Sequence, residues 1–332
     1  MVRFGILGFG HHAILRLVPS FAGSTTCGLA GMWRRDPQKA KDNAVAYNIP
    51  HNFATPRELC ASPEIDAVFV TSPDALHLEH VLLAIKHGKP VVCEKPLGMS
   101  AAEAVSMVSA SREAGVPFGV AQNLRYNASV LLARQWIAEG RIGTPRLTHV
   151  QFCHEAEKSP RKWIYDPALA CGGPIGDVGV HCIDAMRFLL QDEITVVSTL
   201  AMKDARSGEV EAIAAIALEL AGGSLGMVSV TTRAEYRSLF EVVGERGIIR
   251  CEDGLTVSRP VDLELRRGGD LIARETVSNA DGYIRMLDGF AEAMAGESEF
   301  LATGEDGLKN QHVLDAAYAS WRSGQKQSVA RN

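Results

Sequence analysis

Met1-Val2-Arg3-Phe4-Gly5-Ile6-Leu7-Gly8-Phe9-Gly10-His11-His12-Ala13, the opening of the chain, passes from an apolar strand pattern through a glycine turn into an amphipathic helix pattern. In such a turn the first glycine makes the tight bend and the second lets the backbone approach a pyrophosphate. The third position, alanine here, allows close packing of helix on strand. The helix N-terminus then offers unpaired N–H groups and positive partial charge to a phosphate. Glycines after strands are common, so the hexapeptide means little alone; its place after a first strand and before a first helix makes it a dinucleotide-binding signal. Gly8, Phe9, Gly10, His11 and His12 are therefore expected to contact a cofactor, the two histidines through backbone N–H rather than ring.

Outward from this turn, residues 2–123 alternate short β-branched runs (3–7, 26–33, 67–71, 90–93 and 117–121) with helix-length stretches (12–22, 37–47, 56–61, 76–87 and 101–113). That rhythm predicts a parallel sheet with crossover helices. After Arg125 a helix over 128–139 gives way to strand-like runs at 147–153, 195–202, 212–220, 226–232, 239–243, 247–251 and 263–266, several joined at hairpin distance. Two helices, 283–295 and 305–323, close the chain. The expected fold is α/β: an N-terminal Rossmann dinucleotide-binding domain (1–123), an α+β substrate and oligomerisation domain with a large, predominantly antiparallel sheet (124–303), and a C-terminal helix (304–332) packing back near the first domain.

The end of the second strand reads Met32-Trp33-Arg34-Arg35-Asp36, with Lys39 one helical turn on. A carboxylate at this place would receive a ribose 2′-OH, whereas arginine suits a 2′-phosphate. Trp33, Arg34, Arg35 and Lys39 thus point to NADP, with NAD as the alternative. In the plainer reading the arginines are solvated loop charges and Asp36 caps the next helix.

Composition excludes several classes. At 332 residues the chain has room for about two domains. Hydrophobic residues at 46% and charged residues at 22% are ordinary for a globular protein, against disorder or collagen. Lys plus Arg (34) against Asp plus Glu (39) gives a net charge of −5, which disfavours a nucleic-acid partner. Apolar runs are strand-sized, so no membrane span is expected, and no secretory signal is legible. The seven cysteines include no C-x-x-C pair, which speaks against a disulfide framework or zinc ribbon and for a reducing cytoplasm.

Two further segments carry chemistry. Val91-Val92-Cys93-Glu94-Lys95-Pro96-Leu97 places Lys95 at the carboxyl end of a parallel strand, where ligands of such sheets bind. Its ammonium can hydrogen-bond a reacting oxygen, with Glu94 holding it; the alternative is a surface lysine before a turn proline. In Gly172-Gly173-Pro174-Ile175-Gly176-Asp177-Val178-Gly179-Val180-His181-Cys182-Ile183-Asp184, Asp177 and His181 stand i and i+4 on one helix face. A neutral imidazole can move a hydroxyl proton near physiological pH while the carboxylate orients it. Otherwise Asp177 is a helix-start carboxylate and His181 a core histidine.

Taken with the opening turn, these segments resemble the Gfo/Idh/MocA oxidoreductase family. The resemblance extends through Thr71-Ser72-Pro73-Asp74-Ala75-Leu76-His77, Gly140-Arg141-Ile142-Gly143 and Gly304-Glu305-Asp306-Gly307, and so over essentially the whole chain. It implies catalysis without metal by Lys95, Asp177 and His181, with His181 the acid/base, Asp177 its substrate-binding neighbour and Asp184 a support. It places Ser72, Pro73, Asp74, His77, Glu94, Lys95 and Asn123 at the cofactor. Arg125 would reach substrate or cofactor, and Trp163 and Tyr283 would wall the nicotinamide pocket, Trp163 also touching substrate; the alternative for all three is core or rim packing. His80, His87 and His312 read as helix-surface residues. The activity implied is NADP(H)-dependent hydride transfer to or from a secondary alcohol or ketone of a sugar, inositol or related polyol. An NAD(P)-dependent glycosidase using transient oxidation and a non-catalytic NADP(H)-binding redox sensor are the competing classes. A homodimer or homotetramer through the C-terminal sheet is expected.

Overall fold

The computed structural model describes residues 1–157 and 159–330. They fall into two compact units, Met1–Gln122 with Tyr283–Gln311, and Asn123–Gly282 with His312–Asn332. Residues 283–303, grouped with the second domain on sequence, thus pack with the first. The final residues of the expected 304–332 segment, Arg331 and Asn332, lie outside the described residues.

In the first unit β1 (Val2–Leu7), a helical turn and α1 (Val18–Gly23), β2 (Cys27–Trp33), α2 (Pro37–Ala46), β3 (His51–Phe53), α3 (Pro56–Ala61), β4 (Ala67–Val70), α4 (His77–Lys86), β5 (Val91–Cys93), α5 (Ala101–Ala114) and β6 (Phe118–Val120) follow one another. The six strands form a parallel sheet in the order β3-β2-β1-β4-β5-β6. Local chemistry starts and stops the helices: the side chains of Asp36, Thr55 and Ser100 accept N–H groups at the starts of α2, α3 and α5, and Gly115, at φ 64°, closes α5. All four residues of β4 are buried, as expected of a strand covered on both faces.

The first helix begins irregularly. Ala13–Leu17 is a π-turn, in which Val18 N–H reaches back to Ala13 O. Pro19, next in the chain, has no N–H to continue an α ladder, and the wider turn accommodates that loss.

The second unit holds α6 (Ala128–Ala138), β7 (Pro145–Glu155), a π-turn (Ile175–Gly179) leading into α7 (Val180–Leu190), then β8 (Ile194–Met202), β9 (Ile213–Leu220), β10 (Leu225–Thr231), β11 (Arg233–Gly244), β12 (Gly247–Glu252), β13 (Pro260–Arg267) and β14 (Asp270–Ser278). α8 (Gly282–Met294) and α9 (Gly304–Ser323) follow, and a two-residue β15 (Gln327–Ser328) completes the sheet. The nine strands run β14-β13-β12-β11-β7-β10-β9-β8-β15, antiparallel except for β7 beside β10. One face is buried: a Cβ at Gly226 of β10 would lie 2.3 Å from Met186 Sδ of α7. Among the described residues no helix is long and apolar enough to cross a membrane.

Candidate active site

In the first unit β1 and β4 are adjacent while the chain passes from β1 to β2, so the sheet changes winding direction between β1 and β4. The crevice beyond their carboxyl ends is the ligand position of such a sheet. Gly8 turns there at φ 86° and its N–H, like that of Phe9, reaches Trp33 O, at 3.1 and 2.9 Å. A Cβ on Gly8 would lie 2.6 Å from Ser72 N, so backbone sterics and torsion both demand glycine. At Gly10 the nearest heavy atom to a Cβ is Gly8 O at 3.5 Å, so this glycine leaves open space rather than filling a tight one. With Ala13 fully buried behind it, the turn fits a dinucleotide pyrophosphate.

The ring of His12, which the sequence reading weighted below its backbone, turns toward Glu94. Its Nε2 lies 2.9 Å from Glu94 Oε1, and the ring tilts against Tyr283 at 6.0 Å. The other Glu94 oxygen accepts the backbone N–H of Lys95 at 3.2 Å. Lys95 stands two residues past the end of β5 and its bond to Pro96 is cis. The loop is tied to its neighbour by His77, fully buried, whose Nδ1 and Nε2 lie 2.9 Å from Pro96 O and Ser72 O. Ser72 and Asp74 are buried beside it, Asp74 in the turn that Pro73 opens.

His80 is not a surface residue. It is 2% exposed, its Nδ1 is 2.9 Å from Ser72 Oγ and its ring meets the edge of Trp33. Burial, with His77 close by, pushes its pKa down to about 4. A helix histidine at this register faces the sheet, and helix position alone did not reveal it.

At the end of β2, Asp36 does cap α2, accepting Gln38 and Lys39 N–H at 3.1 Å, and Lys39 Nζ lies 3.4 Å from the same carboxylate. Neither Arg34 nor Arg35 makes an ion pair among the described residues.

In the second unit the π-turn bears Asp177, and His181 follows in the first turn of α7. Such turns recur at functional sites because they re-aim one side chain without ending a helix. Asp177 Oδ1 and Oδ2 each lie 3.4 Å from an Arg161 nitrogen, and His154 Nε2 stands 3.9 Å from Oδ2. His181, 9% exposed, has Phe152 near its ring. Arg161 and His154 escaped the sequence reading. Arg161 lies in an aperiodic loop, but alternation along β7 from buried Val150 through Phe152 puts His154 on the helix-covered face, a usable signal. Trp163 is half-buried on a 3-10 turn of the same loop, and Asn123 is buried on another before α6.

Arg125 and Asp184, expected near substrate and His181, form a buried pair with each other. Arg125 Nε and Nη2 donate to the Asp184 carboxylate at 2.8 and 2.7 Å, with Phe188 under the guanidinium. Among the described residues no group of three or more His, Cys, Asp or Glu side chains gathers as a metal site would. All seven cysteines are free.

Residues 2–122 match the family model described as an oxidoreductase family with an NAD-binding Rossmann fold, and residues 130–250 match that of the GFO/IDH/MocA C-terminal domain. The chain belongs to the Gfo/Idh/MocA oxidoreductases. Within the family it is 29% identical to 1,5-anhydro-D-fructose reductase of Ensifer adhaerens over 93% of this chain and 92% of that one. It is 26% identical to D-xylose 1-dehydrogenase [NADP(+)] of Haloarcula marismortui, over 96% and 90% of the two chains. The aldose-aldose oxidoreductase of Caulobacter crescentus, solved with glycerol, superposes with a TM-score of 0.91 at 25% identity, covering 98% of this chain and 99% of that one. The Gfo/Idh/MocA membership makes this chain an NAD(P)-dependent oxidoreductase.

Proposed function

We propose that the protein transfers hydride between NADP(H) and a secondary alcohol or ketone carbon of a sugar, inositol or related polyol. The observation that carries this reading is Lys95 at the carboxyl end of β5, one strand from the place where the sheet reverses, with its backbone N–H taken by buried Glu94. When bound, the nicotinamide accepts or supplies the hydride. Lys95 donates a hydrogen bond to the substrate oxygen and offsets the charge that develops there. His181 takes the hydroxyl proton in oxidation and returns it in reduction. Asp177, held by Arg161, stays an acceptor for neighbouring hydroxyls. Gly8, Phe9, Gly10 and the first helix would hold the pyrophosphate, and Arg34 and Arg35, without an ion pair among the described residues, would receive the 2′-phosphate. The sugars named for the relatives above support the substrate class, and the NADP-linked xylose enzyme supports the cofactor. We further propose a homo-oligomer assembled through the open face of the nine-stranded sheet.

The test follows nicotinamide absorbance with 1,5-anhydro-D-fructose plus NADPH or NADH, and with D-xylose and myo-inositol plus NADP or NAD. Lys95→Ala and His181→Ala should lose most turnover, on the order of a hundredfold or more, while cofactor affinity holds. Arg34→Asp should weaken NADPH binding roughly tenfold or more and leave NADH nearly unchanged. Equal losses for both cofactors would defeat the NADP assignment, and turnover surviving both catalytic substitutions would defeat the mechanism.

A further inference from the structure

Gly172 and Gly173 sit where no side chain fits. A Cβ on Gly172 would fall 1.7 Å from the Tyr318 hydroxyl oxygen, and one on Gly173 would fall 2.0 Å from Glu211 O. What crowds them is the backbone of Glu211 and the hydroxyl that the buried Glu211 carboxylate holds. Glu211, 1% exposed in the connection between β8 and β9, accepts Gly173 N–H through Oε2 at 3.0 Å. Its Oε1 accepts Ile175 N–H at 2.8 Å and the Tyr318 O–H of α9 at 3.0 Å. Burial beside Glu211 lifts the Tyr318 phenol well above its ordinary value, so the hydroxyl remains a donor.

The N–H groups that Glu211 takes are the orphans at the start of the helix that carries Asp177 and His181. Pro174 between them has no N–H, and no local side chain caps this end. Asp177 N–H in turn bonds Gly173 O at 2.9 Å, so the peptide on which Asp177 rides is one link from the carboxylate. A negative group at this end also complements the helix dipole.

We propose that Glu211 is a positioning residue for catalysis: a helix cap supplied from a distant segment, locked by Tyr318, that sets the placement of Asp177 and His181. It rests on the reading that these two residues serve the substrate. Glutamine is nearly the same shape but presents an amide NH2 toward one of the three donors, so at least one bond is lost.

The probe is His181 itself, observed in the full chain labelled with [13Cε1]histidine and identified by the peak missing from His181→Asn. In Glu211→Gln the His181 peak should be displaced while those of His77 and His80 stay. Tyr318→Phe, which leaves both N–H bonds, should displace it less, and it carries the test if Glu211→Gln fails to fold. With 1,5-anhydro-D-fructose, D-xylose and myo-inositol as substrates, kcat of Glu211→Gln should fall roughly tenfold while KM for the nicotinamide cofactor holds. An unmoved His181 peak, or a lowered Tm with unchanged kcat, overturns the proposal. Turnover that survives His181→Ala would instead defeat the functional reading and leave the cap intact, so the two failures are separable.

Discussion

Arg125 and Asp184 have 5% and 1% of their side chains exposed, and their two-pronged contact leaves neither charge bare in the interior. Removing Arg125 takes the fork from buried Asp184, which Arg187 Nη1 approaches to 3.9 Å, so Arg125→Ala should cost about 3 kcal/mol in chemical denaturation, and lysine, lacking the planar fork, should not restore it. An Arg125→Ala protein of native stability but impaired substrate KM would return this arginine to the substrate. The family resemblance nominated Arg125 and Asp184 as polar groups near the chemistry, but 59 residues separate them, and no local pattern announces that they meet. The place of Lys95 was legible because the β-branched run at 90–93 ends just before it, as β5 does. Buried His80 makes a second prediction. Its pKa is lowered from 6.5 to about 4, so the unfolded chain binds more protons than the native one between these values. Its stabilisation is complete above pH 6.5 and is lost as pH falls toward 4, by up to about 3 kcal/mol. Tm should therefore drop across that interval, and His80→Phe should flatten the drop; an equally steep variant would locate the sensitivity elsewhere.

At the scale of elements, the first turn separates structural from ligand-binding glycine. Gly8→Ala forces a side chain onto φ 86° and into the Ser72 backbone, so the apo protein should lose at least about 1 to 2 kcal/mol. Gly10→Ala meets nothing nearer than 3.5 Å and should leave the apo Tm almost unchanged, yet abolish most of the Tm rise that NADPH induces. If both variants bind NADPH as wild type does, the turn is not a phosphate site. The elements themselves were largely readable where periodicity is sustained: α5 and α6 lie within a residue of the expected spans at 101–113 and 128–139. The three-residue β3 is too short to show a period, and β14 is an edge strand exposed along most of its length, so neither has a clean alternation to detect. The π-turns at Ala13–Leu17 and Ile175–Gly179 were invisible for another reason: apolar spacing reports which face is buried, not whether one hydrogen bond skips an extra residue.

At the scale of the molecule, the grouping of residues 283–303 with the first unit follows from packing that local patterns do not encode. Phe290 of α8 lies against Phe4 and Phe300, and Asp288 accepts the hydroxyls of Ser24 and Thr26. In the second unit one face of the sheet is exposed among the described residues. Along β9 the burial alternates without a break, with Ala214, Ile216, Leu218 and Leu220 under the helices and Ile213, Ala215, Ala217 and Glu219 outside. Register carries the outer stripe across the sheet: Met202 pairs with Ile213, Leu200 with Ala215, Ala217 with Met227, and Leu225 with Leu147. Leu200 is 79% exposed, Met202 67%, Leu225 54% and Met227 50%, a contiguous apolar surface of the kind that soluble monomers seldom present. A second copy is the occupant we favour, because this face set against its own twin by a two-fold axis buries the stripe on both sides with a single set of residues. Wild-type protein should therefore sediment as a dimer or tetramer at micromolar concentration. Leu200→Glu with Met227→Glu would bring carboxylates into that contact and should yield a folded monomer of unchanged Tm at low concentration. A wild-type monomer, or a double variant that still associates, would mean that the sheet face is not the contact between copies.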